Sequence, residues 1–392
     1  MQFSYADRLE RLPDQFFAAL VEKAKKVQNE KGDVINLGQG NPDQPTPDHI
    51  VEALQTGAEK PKYHKYSPFR GLPKLKEAAA SYYEREYGVS LDPEREVAVL
   101  FGAKTGLVEI SQCLLNPGDT ALVPDPGYPD YWSGIALSGA KMEKMPLTAE
   151  NNFLPVYDAI PESALEAAKL LFINYPNNPT GAAATESFFK ETVDVATKQE
   201  ICVVHDFAYG AIGFDGYKPP SFLQTPGAKE VGVEAMTLSK TYNMAGWRVA
   251  FMAGNESVIE AINLVQDHMY CSLFGAVQEA AAEALTGPQD SVRELAALYE
   301  RRRDVLMEAV CAIGWDAEAP AGSFFAWLPV AEGFTSEGFA DYVLEHAQVV
   351  VAPGRGFGES GEGYVRVALL EDESRLAEAV ERIGALGLFG KK

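Results

Sequence analysis

The chain has 392 residues, 46% of them hydrophobic and 23% charged, an ordinary globular composition that excludes a disordered polypeptide. Its formal net charge of −22 excludes general affinity for nucleic-acid phosphates or anionic lipid, so an anionic substrate needs a local cluster of cations. At roughly 150 residues per domain, the length predicts two or three domains and a core able to house a buried site.

Met1-Gln-Phe-Ser-Tyr-Ala-Asp-Arg-Leu-Glu lacks the charged-then-apolar layout of a signal peptide. No apolar run approaches the ~20 residues needed to cross a bilayer. Cys113, Cys202, Cys271 and Cys311 are scattered without a CxxC pair and read as buried free thiols in a reducing compartment. A cytoplasmic location with no membrane contact is expected. No internal repeat is visible, which disfavours a scaffold.

In chain order, the first 30 residues predict a helix, with Leu12, Phe16, Phe17, Leu20 and Val21 at helical spacing. A loop rich in Pro and Gly runs from Gly38 to Pro47. Short β-branched runs then alternate with longer helical stretches to about residue 285. The expected strands are Val97–Phe101, Thr120–Val123, Leu170–Asn174, Ile201–His205, Ala235–Leu238 and Val249–Ala253. Such alternation predicts crossover units on a largely parallel sheet. After the breakers Thr286-Gly-Pro-Gln-Asp comes a charged helix around Leu295–Val310, then strands at Ser323–Leu328, Val349–Val351 and Tyr364–Leu369. The expectation is an α/β protein: a large domain over 48–285, and a smaller α+β domain formed by 286–392 together with the arm 1–47. Whether the N-terminal helix packs on the smaller part or reaches a partner subunit stays open.

The polar and glycine-rich segments follow the strands almost one for one, where ligands bind in open parallel sheets. Gly102-Ala103-Lys104-Thr105-Gly106 opens a helix, so its free backbone N–H groups suit a phosphate. Ser239 adds a hydroxyl and Arg248 a planar cationic fork. Asp206 ends an apolar strand, where a buried carboxylate demands a cationic or protonated partner. Lys240 follows another, where desolvation and nearby cations favour the free amine. A nucleophilic amine, a phosphate cradle and a carboxylate for a protonated ring nitrogen together describe a pyridoxal-phosphate site.

Ser239-Lys240-Thr-Tyr-Asn-Met-Ala-Gly246-Trp247-Arg248, with Asn178-Pro-Thr-Gly, Asp206-x-x-Tyr209 and Arg366, resembles the class I aminotransferases, the fold-type I pyridoxal-phosphate enzymes. The resemblance spans nearly the whole chain. It implies that Lys240 attaches the cofactor and moves the substrate proton, and that Asp206 keeps the pyridine nitrogen protonated. It further implies that Tyr209 and Asn178 bond the ring oxygen, that Tyr128 stacks on the ring, and that Ala103, Lys104, Ser239 and Arg248 hold the phosphate. The side chain of Lys104 also reads as a plain surface lysine. Tyr66 is implied to reach the phosphate of a neighbouring subunit, hence a homodimer with shared active sites. Arg366 is implied to grip the substrate α-carboxylate, assisted by the Gly40 backbone. Ile35-Asn-Leu-Gly-Gln-Gly-Asn-Pro-Asp-Gln-Pro and Val204-His-Asp-Phe-Ala-Tyr-Gly-Ala-Ile-Gly-Phe-Asp look most like family members of methionine salvage, which pass an amino group from glutamine to 4-methylthio-2-oxobutanoate. The partners implied are amino acids and 2-oxo acids.

Gly356-Phe-Gly358-Glu-Ser-Gly361 matches a dinucleotide fingerprint but leads into a strand, so it reads instead as a mobile loop closing over substrate. His49, His64, His205, His268 and His346 show no metal-ligand spacing, so no metal is expected. His205 alternates away from Asp206 and reads as a structural or supporting residue. Phe207, Tyr131, Phe324 and Phe325 fit a substrate side-chain pocket or the core equally well. Fold and cofactor motifs do not choose the reaction, so an aminotransferase of other specificity, a carbon–sulfur β-lyase and a non-catalytic cofactor-binding module stay beside the main reading.

Overall fold

The structure is a computed structural model that describes residues 1, 3–13 and 16–390; the side chains of Phe16 and Phe17 lie outside the described ones. Its main sheet has seven strands in the spatial order Val97–Leu100, Ala250–Gly254, Gly232–Thr237, Cys202–Asp206, Ala168–Asn174, Thr120–Asp125 and Lys141–Pro146. Alternate residues of the inner strands go to opposite faces. Val97, Val99, Leu171, Ile173, Val203 and Phe251 join one buried cluster, whereas Ala98, Leu100, Leu170, Phe172, Val204 and Met252 join another. Both faces are therefore core, which is why these strands read as continuous apolar runs.

All six expected strands are present, with ends shifted by a few residues. A seventh, Lys141–Pro146, was not expected: it is the sheet edge, mostly exposed, with the sequence Lys-Met-Glu-Lys-Met-Pro. Charge and proline on an edge block further pairing and remove the apolar signal. The sheet is parallel except for Ala250–Gly254, which runs antiparallel to both neighbours. The carboxyl ends of the other six strands thus share one rim with the amino end of Ala250–Gly254, and that reversal brings Arg248 to the rim.

Beyond residue 290 a 23-residue helix, Asp290–Ala312, leads to a three-stranded antiparallel sheet of Ala352–Pro353, Tyr364–Ala368 and Phe325–Pro329. Arg366 pairs in register with Trp327 on one side and Ala352 on the other. The strand Ile35–Asn36 pairs in parallel with Val349–Val350, and Ala368 N–H donates to the Leu37 carbonyl at 2.8 Å.

The described part of the N-terminal helix runs from Phe16 to Lys31. Leu12 lies in a turn ahead of it, because Pro13 biases the preceding residue away from helical backbone. Leu20 and Ala24 of this helix bury against Trp327, Leu344 and Val350, and Lys23 pairs with Asp341 at 2.8 Å, so the helix packs on its own chain. The glycine-rich 356–361 segment is fastened to the main sheet. Gly127 N–H donates to the Phe357 carbonyl at 2.8 Å and Ser360 N–H to Asp125 Oδ1 at 3.0 Å. The four cysteines are free, but none is fully buried, and Cys311 is exposed. Three stand on helices or strand ends whose other face makes the core.

Candidate active site

The rim opens into a cavity of about 560 Å³ lined by residues from both sheets and from the N-terminal helix. Gly102 starts the helix Ala103–Leu114 with φ 80°, and a Cβ there would collide with the Arg248 guanidinium. Glycine thus suits the position in two ways, by its left-handed backbone conformation and by letting the cation approach closely. Arg248 itself sits just before Ala250–Gly254 and donates from Nη1 to the Ala245 carbonyl at 2.8 Å. Ala103, Lys104, Ser239, Gly246 and Arg248 line this end of the cavity, an anion-binding cradle of helix N–H groups, hydroxyl and guanidinium. The Lys104 side chain turns outward to Asp130 at 2.9 Å, so only its backbone serves the cradle.

Asp206 ends the strand Cys202–Asp206 and is buried. Its Oδ2 accepts the Tyr131 hydroxyl at 2.7 Å, while Oδ1 has no hydrogen-bond partner among the described residues. Burial pushes this carboxyl up to about 6, opposed by the Tyr131 hydrogen bond, by His205 and by the Ala208 N–H. An unsatisfied buried carboxylate oxygen on a cavity wall is a receptor for a protonated nitrogen. Asn174 knits two strand ends together: its Nδ2 donates to the Asp206 carbonyl at 2.7 Å and its Oδ1 accepts Asn178 N–H at 2.7 Å.

Lys240 lies in the short helix Leu238–Thr241, whose first turn is capped by Thr237 Oγ1 on Ser239 N–H at 3.2 Å. Its Nζ donates to the Gly40 carbonyl at 2.8 Å and stands 5.3 Å over the Phe324 ring. Burial above all, then the Arg366 and Arg248 charges, lowers this amine to about 8. A lysine so placed is a usable nucleophile and base near neutral pH.

Arg366 is buried between two rings, 4.0 Å from the Phe325 centroid and 4.6 Å from that of Phe357. Nη1 donates to Asn178 Oδ1 at 2.8 Å and Nη2 to the Gly38 carbonyl at 3.0 Å. Burial lowers the guanidinium to about 10. With its oxygen engaged, Asn178 has its amide nitrogen as the donor for the cavity. The Gly38 carbonyl is the loop oxygen that meets Arg366. Gly40 lines the cavity where a Cβ would meet Phe325 at 2.9 Å. Tyr209 is buried on the same wall, edge-on to Phe324 and Phe325, and burial raises its hydroxyl above the usual phenol range. Tyr128 lines the cavity edge-on to Tyr131.

One cavity thus gathers Gly40, Ala103, Lys104, Tyr128, Asn178, Asp206, Tyr209, Ser239, Lys240, Arg248 and Arg366. Tyr66 is not brought to it; this side chain is 92% exposed on the outer surface. Of the four aromatics left open by the sequence, Phe325 and Phe324 flank Arg366 and Lys240. Phe207 packs on the far side of the sheet with Tyr87 and His205, and Tyr131 holds Asp206. His205 faces away as expected, with Nδ1 2.7 Å from the buried Glu234. Leu20, Val21, Gln39 and Asn41 also line the cavity and were not singled out. For Leu20 and Val21, helical periodicity showed an apolar face without showing what it covers.

An amine below its ordinary pKa, a buried carboxylate oxygen without a partner among the described residues and a helix-end anion cradle with Gly102 set against Arg248 fit pyridoxal phosphate. Comparison with known proteins agrees. The family model for aminotransferase class I and II matches residues 32–383. The L-glutamine--4-(methylsulfanyl)-2-oxobutanoate aminotransferase of Bacillus subtilis (strain 168) is 64% identical over 392 residues, covering 100% of this chain and 98% of that protein. The LL-diaminopimelate aminotransferase of Moorella thermoacetica (strain ATCC 39073 / JCM 9320) is 47% identical over 96% of this chain and 97% of its own length. The solved structure of substrate-bound BacF from Bacillus subtilis superposes with a TM-score of 0.95 at 48% identity, covering 100% of both chains.

Proposed function

The chain belongs to the class I and II aminotransferases, and from that premise we propose that it moves an amino group from glutamine to 4-methylthio-2-oxobutanoate, yielding methionine and the 2-oxo acid of glutamine. The observation that carries the specificity is the 64% identity, over the whole chain, to an enzyme named for that reaction. The cavity supports it. Its charged lining side chains, among the described residues, are Lys104, Asp206, Lys240, Arg248 and Arg366. Each faces the cofactor, the α-carboxylate or solvent, and Leu20, Val21 and Phe325 supply apolar wall for a thioether. A diaminopimelate carries a second ammonium and carboxylate that such a wall would leave unpaired, at a cost of several kcal/mol.

Bound at the rim, pyridoxal phosphate supplies an electron sink that stabilises the charge left at the substrate Cα when its proton departs. Lys240 would attach it, Asp206 Oδ1 would accept from its ring nitrogen, and Tyr209 and Asn178 would bond its ring oxygen. Tyr128 would cover the ring, while the Ala103 and Lys104 N–H groups, Ser239 and Arg248 would hold the phosphate. Arg366 receives the α-carboxylate through its planar fork and fixes the Cα–H bond within reach of Lys240. Lys240, as a free amine, would hold and move that proton.

The protein works as a homodimer in this reading. Tyr66, Phe69, Met269 and Phe274 are exposed on segments joined by Ser67 Oγ to the Leu273 carbonyl at 2.7 Å and by Arg70 to Asp267 at 2.9 Å. Such an apolar patch suits a subunit interface, where Tyr66 would reach the partner's phosphate. The same reading places the enzyme in the cytoplasm, in keeping with its free cysteines.

The test is methionine formation from 4-methylthio-2-oxobutanoate with glutamine as donor and pyridoxal phosphate supplied. Fast, glutamine-dependent methionine production supports the proposal. A kcat/KM higher for LL-diaminopimelate, or pyruvate released from cystathionine, overturns it in favour of another specificity or of a lyase.

A further inference from the structure

The loop that faces the cavity is fastened through side chains, with Thr46 and Pro45 held by Asn243 at its far end. Between Gly38 and Thr46 no backbone–backbone hydrogen bond is made among the described residues. Yet the loop's carbonyls touch both working cations, Gly38 on Arg366 and Gly40 on Lys240. Where the loop sits therefore decides how those two side chains are aimed.

Its outer end is gripped from far away in sequence. Arg302, in the middle of the helix Asp290–Ala312, is 1% exposed. Its fork meets Asp43 two-pronged, Nη1 to Oδ1 at 3.1 Å and Nη2 to Oδ2 at 2.8 Å. Nη1 also donates to the Leu369 carbonyl at 3.0 Å, just past the strand that carries Arg366. One guanidinium thus ties the cavity loop to the end of the Arg366 strand. The Arg302 side chain is 2% exposed and that of Asp43 23%, so the pair is shielded from water on the arginine side and held by a rigid geometry.

We propose that Arg302, acting through Asp43, is a positioning residue that sets the register of the Gly38–Asn41 backbone against Arg366 and so tunes the grip on the substrate α-carboxylate. The inference rests on the reading of Arg366 as the carboxylate receptor. Arg302 touches neither substrate nor cofactor; its effect travels through the Asp43 carboxylate and the Leu369 carbonyl.

The experiment uses the cofactor-loaded enzyme and steady-state kinetics with glutamine and 4-methylthio-2-oxobutanoate. Asp43→Asn and Arg302→Lys are each expected to raise KM for both substrates about tenfold with kcat within about threefold, the signature of lost carboxylate binding. Breaking one side of a buried pair also destabilises the fold, so Asp43→Asn combined with Arg302→Met is measured too. That double variant is expected to recover its melting temperature yet keep the raised KM. Recovery of both would make the pair purely structural and overturn the proposal, as would single variants that melt early with unchanged KM. Arg366→Lys is the reference: unchanged KM there defeats the carboxylate reading itself, whereas a raised KM there with normal KM in the Asp43 and Arg302 variants defeats only this inference.

Discussion

The Tyr131 hydroxyl donates to Asp206 Oδ2 at 2.7 Å from a ring stacked 5.0 Å from Phe172, and this fixed contact turns the unpartnered Oδ1 into the oxygen presented to the cavity. Tyr131→Phe keeps the stacking and removes the donor, at about 1.5–3 kcal/mol for a hydrogen bond to a charged group. Titration of the apoprotein with pyridoxal phosphate, followed by absorbance, is expected to show affinity reduced about tenfold or more.

The same carboxyl predicts a pH dependence. In the folded chain it titrates at about 6, against an ordinary value of 3.8, because burial disfavours the charge. The folded state then binds the proton more tightly, so this group costs the apoprotein stability as pH rises from about 4 to about 6. In its proposed role toward the ring nitrogen the carboxyl must be charged, so cofactor binding is expected to strengthen over the upper part of that range. Asp206→Asn is expected to flatten the dependence, and Tyr131→Phe to move its midpoint upward. Cofactor affinity measured between pH 5 and 8 decides it.

Lys240 gives the complementary case. Its amine titrates at about 8 in the folded protein and 10.5 ordinarily, so the buried charge is a full burden below about 8 and disappears as pH climbs to about 10.5. Lys240→Met is expected to make the apoprotein more stable at pH 7 by a few kcal/mol, with the advantage vanishing near pH 10.5. Denaturant unfolding at the two pH values measures this. Lys240→Ala should abolish covalent attachment of the cofactor and most of the turnover.

For Arg366, substitution by Lys preserves the charge but not the fork, and leaves Asn178 Oδ1 and the Gly38 carbonyl to be shared by one ammonium. KM for glutamine is expected to rise about a hundredfold or more, with a smaller change in kcat. Saturation by amino acids at the ordinary concentration would remove Arg366 from the site.

Tyr66 is expected to act only across a dimer. Sedimentation should give a dimer, and Tyr66→Phe should weaken cofactor binding by about 1 kcal/mol, one hydrogen bond, without altering the sedimentation coefficient. A monomer with full activity would contradict the arrangement.

Much of this site was legible because its carriers are local. Buried parallel strands read as unbroken apolar runs, and the polar segments behind them announce the rim. Asn178, Asp206 and Lys240 each stand at such an end. What stayed hidden depended on direction or distance. Val-Ala-Phe-Met-Ala-Gly carries no sign of which way its strand runs, so the reversal that delivers Arg248 was invisible. Lys141–Pro146 has the composition of a loop because its faces are wet. Tyr131 fits a pocket wall and the core equally well until Asp206, 75 residues on, is placed beside it. Arg301-Arg302-Arg303-Asp304 lies in what reads only as a charged helix, yet Arg302 is buried because Asp43, 259 residues earlier, comes to meet it. Tyr66 could only be assigned by resemblance, since its proposed partner belongs to another copy of the chain.

In the proposed mechanism Lys240 is the amine that takes the cofactor. The most direct measurement is borohydride reduction of the pyridoxal-phosphate-loaded protein, followed by mass mapping of its peptides. The prediction is a single pyridoxyl-phosphate adduct on Lys240, absent from Lys240→Ala. An adduct on Lys104 or on any other lysine instead, with Lys240 unmodified, would contradict it.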